Sequence, residues 1–195
     1  MTLSTPIPTP VAAQPPADKP VAVDVSWRCL PFAGLGVAEL YAVLQLRSAV
    51  FVVEQACVFQ DMDGLDPVCH HLLGQDARGG LLAYARLVPA GVAFAEASVG
   101  RVITAPAARG TALGHRLMAQ ACTQLAQLWG AQPIRIGAQA HLQAFYGRHG
   151  FVAEGAGYIE DGIPHVEMLR ATAPLDLAHL RTSSVPSFIP DNGGV

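Results

Sequence analysis

The chain has 195 residues, a net charge of −3, 51% hydrophobic residues and 14% charged ones. That length holds one ordinary domain, and a chain this apolar and weakly charged collapses instead of remaining disordered throughout. No apolar run reaches the roughly 18–20 residues that span a bilayer, and the near-neutral balance lacks the basic footprint of a nucleic-acid binder, so neither a membrane nor a nucleic acid is expected as a partner.

Residues 1–23 carry six of the fifteen prolines and lack a basic start followed by an apolar block. They read as a disordered Pro-rich tail, not as a secretory signal. Val25 to Leu30 then alternates weakly as a first strand. Gly36 opens a helical pattern with Val37, Leu40, Tyr41, Leu44 and Phe51 on its inward face. Asp61, Asp63, Gly64, Asp66 and Pro67 make the stretch over 60–67 a loop. Two short apolar runs follow, over 71–74 and 81–88, with Gly79-Gly80 as the hairpin turn between them. A strand is expected over 93–103, with Val99, Arg101 and Ile103 on one face.

Leu113, Leu117, Ala121, Leu125 and Leu128 recur at helical spacing and predict a long amphipathic helix over about 110–129. A short strand over 133–138 and a short helix over 141–149, stopped at Gly150, come next. Two last strands, over 151–160 and 165–169, are joined at Asp161-Gly162. The order β-α-β-β-β-α-β-α-β-β predicts a mixed sheet with helices on its faces, not the strict alternation of a doubly wound fold. Pro174, Pro186, Pro190 and Gly193-Gly194 make 171–195 a second, mostly irregular tail with a short helix over 175–180. The folded domain is therefore expected over 24–170. Cysteines 29, 57, 69 and 122 show no C-x-x-C spacing and read as reduced thiols of a cytoplasmic protein.

Two blocks carry chemistry. In Val102-Ile103-Thr104-Ala105-Pro106-Ala107-Ala108-Arg109-Gly110-Thr111-Ala112-Leu113-Gly114 a strand ends and a long helix begins within an Arg- and Gly-bearing segment. The unpaired amides and partial positive charge of a helix start suit a phosphate. The same residues read equally as a tight turn that uses glycine for close helix–sheet packing. Neither the P-loop pattern nor the Rossmann G-x-G-x-x-G pattern is present. The second block, Gly137 to Phe151, places Phe145-Tyr146 on a short helix before Gly150-Phe151, where core aromatics are the simpler reading.

In order and about 30 residues apart, the two blocks resemble the GNAT superfamily of acyl-CoA-dependent N-acetyltransferases. The family's phosphate loop runs Gln/Arg-x-x-Gly-x-Gly/Ala, and Arg109 and Gly114 stand at its first and last positions. It departs at Ala112, where the family has glycine, and a loop needing positive φ there would strain an alanine. Tyr146, Gly150 and Phe151 meet the spacing of the family's later block. Leu46-Arg47, Val50-Phe51-Val52-Val53-Glu54-Gln55, Gln60-Asp61-Met62-Asp63-Gly64, Gly100-Arg101-Val102, Gly137-Ala138-Gln139-Ala140-His141 and Glu160-Asp161-Gly162-Ile163-Pro164-His165 are similar to the ElaA-like branch of that superfamily. The resemblance covers nearly all of 26–170 and neither tail.

The resemblance implies an α/β fold of three layers. A central mixed, mostly antiparallel sheet carries helices on both faces, and two parallel strands splay apart to hold acetyl-CoA. Backbone groups of Arg101, Val102 and Ile103 would bind the pantetheine arm like an added strand. Arg109, Gly110, Thr111, Ala112, Leu113 and Gly114 would take the pyrophosphate, and Gln139, Phe145 and Tyr146 would lie along the donor. Tyr146 is expected as the acid for the leaving thiolate. Glu54, in an otherwise apolar run, is expected as a base with a raised pKa, or else as the ion-pair partner of Arg47. Arg47, Asp61, Asp63, His71 and His141 are expected to contact the acceptor, an amine, although for both histidines a structural role stands beside that one. Asp61 and Asp63 suit a cationic amine better than a metal, and no metal is expected. A non-catalytic CoA-binding module is the alternative. Cys69, His70 and His71 with the Asp61/Asp63 loop make a poor chelate. A homodimer is the default assembly.

Overall fold

The computed structural model describes residues 24–172. The tail expected over 1–23 and the helix expected over 175–180 lie outside the described residues. The elements are β1 (Ser26–Pro31), α1 (Val37–Arg47), β2 (His70–Gln75), β3 (Leu81–Val88), β4 (Ala97–Thr104), α2 (Leu113–Trp129), β5 (Ile134–Gln139), α3 (Gln143–Gly147), β6 (Val152–Glu160) and β7 (Ile163–Arg170). Their order is the expected one, and the seven strands form a mixed sheet ordered β1-β2-β3-β4-β5-β7-β6. Residues 24–86 with 101–120 form one unit, and 87–100 with 121–172 a second.

In the first unit, β1 pairs antiparallel with β2 from Ser26↔Gln75 to Pro31↔His70. Val43, Val50, Leu73, Tyr84 and Ile103 make its core, flanked by Leu35, Leu46, Phe51 and Leu81. Glu39 starts α1 by accepting the Gly36 amide at 3.0 Å. The helix turns a different face inward from the one the periodicity suggests. Val37 and Tyr41 are exposed, whereas Val43 and Arg47 are fully buried. The apolar spacing misled because the true inward row ends in an arginine, which polarity assigns to the outside.

Beyond α1 the chain continues over Ser48–Glu54 as a wider π-helical turn. There Gln55 and Cys57 donate to carbonyls five residues back, at 3.3 and 3.1 Å. The β2–β3 turn is built by Asp76, whose carboxylate accepts the Arg78 and Gly80 amides at 2.8 Å each.

In the second unit, β4 and β5 run parallel. Among the described residues their register consists of Ala97↔Ile134 and Ser98↔Arg135. β5 continues to Gln139 fully paired with β7. The limited parallel pairing agrees with strands that part. β4 begins at Ala97 and not at residue 93, because Gly91 at φ +81 and its bond to the Phe94 carbonyl make 91–94 a turn. β5 buries Ile134, Ile136 and Ala138 on one side and keeps Arg135, Gly137 and Gln139 more open on the other. Asp161 and Gly162, at φ +48 and +79, make the hairpin between β6 and β7, as an Asp-Gly pair favours. β6 forms the sheet edge, and all nine of its residues are exposed.

Along α2 itself, Leu113, Leu117, Met118, Ala121 and Leu125 are buried at helical spacing. Gly130, at φ +79, ends the helix with its amide on the Ala126 carbonyl. No described helix is long and apolar enough to cross a membrane. The four cysteines are free thiols, with Cys57 and Cys69 buried.

Candidate active site

The segment from β4 to α2 is held by short-range bonds. A tight turn over Pro106–Ala108 is closed by the Ala108 amide on the Ala105 carbonyl, and the Thr111 hydroxyl donates to the Ala108 carbonyl at 2.7 Å. Gly110 and Ala112 then adopt φ +77 and +59, and α2 begins at Leu113, three residues later than the apolar pattern suggests. His115 and Arg116 both donate to the Ala112 carbonyl. The amides of Gly110 to Ala112 therefore lead into the helix and those of Leu113 and Gly114 lie in its first turn, where a helix leaves its N–H groups for another acceptor. A diphosphate fits that set of donors and the dipole behind it.

Ala112 occupies the left-handed conformation that the family's glycine would take without strain. The cost to an alanine is about 1–2 kcal/mol. Ala112→Gly removes it and gives back about 0.4–1 kcal/mol through the freer unfolded chain. A net gain of about 0.5–1 kcal/mol in urea unfolding is expected, and a destabilised variant would show that Ala112 is not strained.

The charged residues of this unit meet one another. Arg47, which is fully buried, donates Nε to Asp61 Oδ2 at 2.9 Å, Nη1 to Asp66 Oδ1 at 2.8 Å and Nη2 to the Asp61 carbonyl at 2.9 Å. Arg86 grips Asp63 through Nη1 and Nη2 at 2.7 and 2.6 Å and reaches Asp66 at 3.0 Å. Arg101 donates Nε to Asp61 Oδ1 at 2.8 Å. Burial pushes the Asp63 carboxyl up, but the Arg86 bonds, the Leu65 amide and the nearby cations outweigh it and hold the group at about 2. Asp66 is likewise held low, because Arg47 and Arg86 together outweigh its burial.

These contacts correct several expectations. Arg47 and Asp61 are buried, away from any acceptor in solution, and the carboxylate of the exposed Asp63 is engaged by Arg86. His71 is fully buried, with Nδ1 2.8 Å from the Tyr84 hydroxyl and Nε2 3.1 Å from the Asp66 carbonyl. Burial lowers its pKa and keeps the ring neutral. Both ring nitrogens are thus engaged within the protein, which ties β2 to the 60–67 loop.

Glu54 pairs with Arg109 and not with Arg47, by two parallel bonds of 2.8 and 2.9 Å. The Arg109 bonds hold its carboxyl below the usual range, the reverse of the raised value expected of a base. Among the described residues no group of three or more His, Cys, Asp or Glu side chains is arranged for a metal ion.

In the second unit, Gln139 ends β5, and His141 lies exposed on the tight turn over Ala140–Leu142. Tyr146 is buried on α3, edge-on to Phe145 at 5.0 Å and to Phe151 at 6.1 Å between ring centroids. Burial pushes its phenol up to about 12.

Sequence reasoning missed Arg86, Asp66 and Tyr84. The signal was present: an arginine inside the apolar run Leu81–Val88 cannot be buried alone, and the 60–67 loop holds three acids to meet it. It also missed Arg135, which forks onto Glu96 at 2.8 and 2.9 Å and reaches Glu154 and Glu167 at 3.1 Å.

A mixed sheet with parting parallel strands and an anion-ready helix start after the fourth strand define a class. A model of the acetyltransferase (GNAT) domain matches residues 69–171, and the chain belongs to that family. Within it, the chain is 43% identical over 148 residues to Protein ElaA of Escherichia coli K12, across 75% of this chain and 96% of that one. The crystal structure of an acyl-CoA N-acyltransferase from Pseudomonas aeruginosa superposes with a TM-score of 0.72 at 49% identity, covering 76% of this chain and all of the other. That of Escherichia coli ElaA gives 0.70 at 42%, over 75% and 99%.

Proposed function

We propose that this protein is an N-acetyltransferase that moves the acetyl group of acetyl-CoA to a primary amine. The observation that carries this is the row of amides from Gly110 to Gly114 leading into the first turn of α2, in a chain of the GNAT family. Those amides take the pyrophosphate. The backbone of Arg101, Val102 and Ile103 binds the pantetheine arm and meets the thioester oxygen as negative charge builds on it.

The neutral amine attacks the thioester carbonyl, a C–N bond forms, and the C–S bond breaks with its electron pair on sulfur. A lysine-like amine with a pKa of about 10.4 is mostly charged at pH 7, so a proton must leave first. With Glu54 tied to Arg109 and His71 enclosed, His141 is the exposed imidazole left among the expected acceptor residues. Tyr146 donates a hydrogen bond to the departing thiolate.

The test is release of free thiol from acetyl-CoA across a panel of small amines, amino acids, peptides and proteins, alongside calorimetric titration with CoA. Saturable thiol release with at least one amine is expected. CoA binding with no amine-dependent release would instead make the chain a non-catalytic CoA-binding module. Failure to bind CoA would overturn both.

A further inference from the structure

β4 is kinked at its middle by a residue that is not glycine. Arg101 adopts φ +50, a conformation L side chains rarely take, while the strand extends on both sides of it. Inward and outward positions stop alternating there: Ala97, Ser98 and Val99 are all buried, and Gly100, Arg101 and Val102 are all half-buried. A strained backbone of this kind persists only where its surroundings over-determine it.

The surroundings are on the Arg101 side chain. Its Nε bonds Asp61 Oδ1 at 2.8 Å, and its Nη2 lies 3.4 Å from both the Asp61 carbonyl and Asp63 Oδ2. Its guanidinium stands 5.8 Å from the Phe51 ring centroid and 5.7 Å from that of Phe59. The anchor is itself fixed. Asp61 has a side chain 1% exposed, and Arg47 binds both its carboxylate and its carbonyl. One end of Arg101 is thus a strained backbone, and the other is pinned to an immobile carboxylate.

We propose that Asp61 is a positioning residue that, through Arg101, holds the left-handed kink of β4 and so sets the direction of the backbone amides that follow it. The inference rests on the proposed acetyl transfer, in which those amides meet the acyl donor. It gives the Asp61 loop a part in catalysis without contact between its side chains and substrate.

Arg101→Gly and Arg101→Ala separate this from plain ion pairing. Both remove the same contacts with Asp61 and Asp63. Glycine adopts positive φ freely, whereas alanine keeps its Cβ and loses the tether. With acetyl-CoA and a working amine, Arg101→Ala is expected to lower kcat about 10-fold, as a displaced oxyanion donor does, and Arg101→Gly to lower it at least about threefold less than Arg101→Ala does. Asp61→Asn is expected to lower kcat in the parent and to add little in the Arg101→Gly background, because a residue acting through another is not additive with it. Equal kcat for the two Arg101 variants, or a lower one for glycine, would overturn the proposal.

Crystal structures of the two variants decide the point even if no amine is turned over. A kink relaxed to extended backbone in Arg101→Ala and kept in Arg101→Gly supports the tether. A kink near +50° kept in Arg101→Ala overturns it, whatever the fate of the proposed activity.

Discussion

Arg47→Ala is expected to cost about 3–5 kcal/mol, the range seen when one member of a buried ion pair is removed. For a domain of this size that is a fall of roughly 10 °C or more in Tm. Arg47 alone joins the Asp61 carboxylate, the Asp61 carbonyl and Asp66, all deep in the first unit. Its loss leaves the nearly enclosed Asp61 and Asp66 carboxylates with fewer donors. Arg47→Lys recovers little, because a point charge cannot span three acceptors that a planar fork reaches together. Thermal unfolding and urea titration of the two variants read this directly, and a loss under about 1 kcal/mol for Arg47→Ala would mean the network contributes no net stability.

The same network sets the acid limit. Asp63 and Asp66 have folded-state values below the ordinary 3.8, so their contribution is present above that pH and is lost as pH falls toward 2. His71, lowered from 6.5 by burial, works in the same direction: its contribution is present above pH 6.5 and declines below it. Stability should therefore begin to decline below pH 6.5 and fall more steeply below pH 4.

Tyr146→Phe is expected to lower kcat about 100-fold, the lower end of what one hydrogen-bond donor to developing negative charge contributes. The substitution keeps the ring and its edge-on contacts with Phe145 and Phe151, so Tm should scarcely move. That separates a chemical loss from a folding one. A phenol pushed up to about 12 stays neutral through the working range and remains a donor. It is too weak an acid to protonate outright a thiolate whose conjugate acid titrates near about 8.5. In the proposed transfer it would therefore stabilise the thiolate by a hydrogen bond, and the proton that ends on sulfur would derive from the amine. The kcat profile should show no loss from Tyr146 ionisation below about pH 11. A variant within threefold of the parent would remove Tyr146 from the mechanism.

Much of the fold was legible because its periodic elements are strong. The Leu113–Leu125 series, the Gly-marked turns and the Asp161-Gly162 hairpin follow from local backbone rules and from burial of one face. The two blocks at Arg109–Gly114 and Gly137–Phe151, with the shorter runs around them, pointed to the family. What misled was charge. Arg47 and Asp61 read as substrate-facing groups, and Arg86 and Asp66 drew no reading as site residues, since a charge in a sequence shows no partner.

By itself the sequence determined the order of elements and the class of protein, and it singled out the loop now proposed to take an anion. All of these depend on neighbours a few residues apart. Only the tertiary structure decided which charges are spent on one another. Asp61 finds Arg47 across 14 positions and Arg101 across 40, and Glu54 finds Arg109 across 55. Ion pairs form between groups that the fold places within reach, and no local spacing encodes that distance. The strain at Ala112 and Arg101 belongs to the same category. Each residue is free to be extended in isolation and is left-handed only because the surrounding chain holds it there.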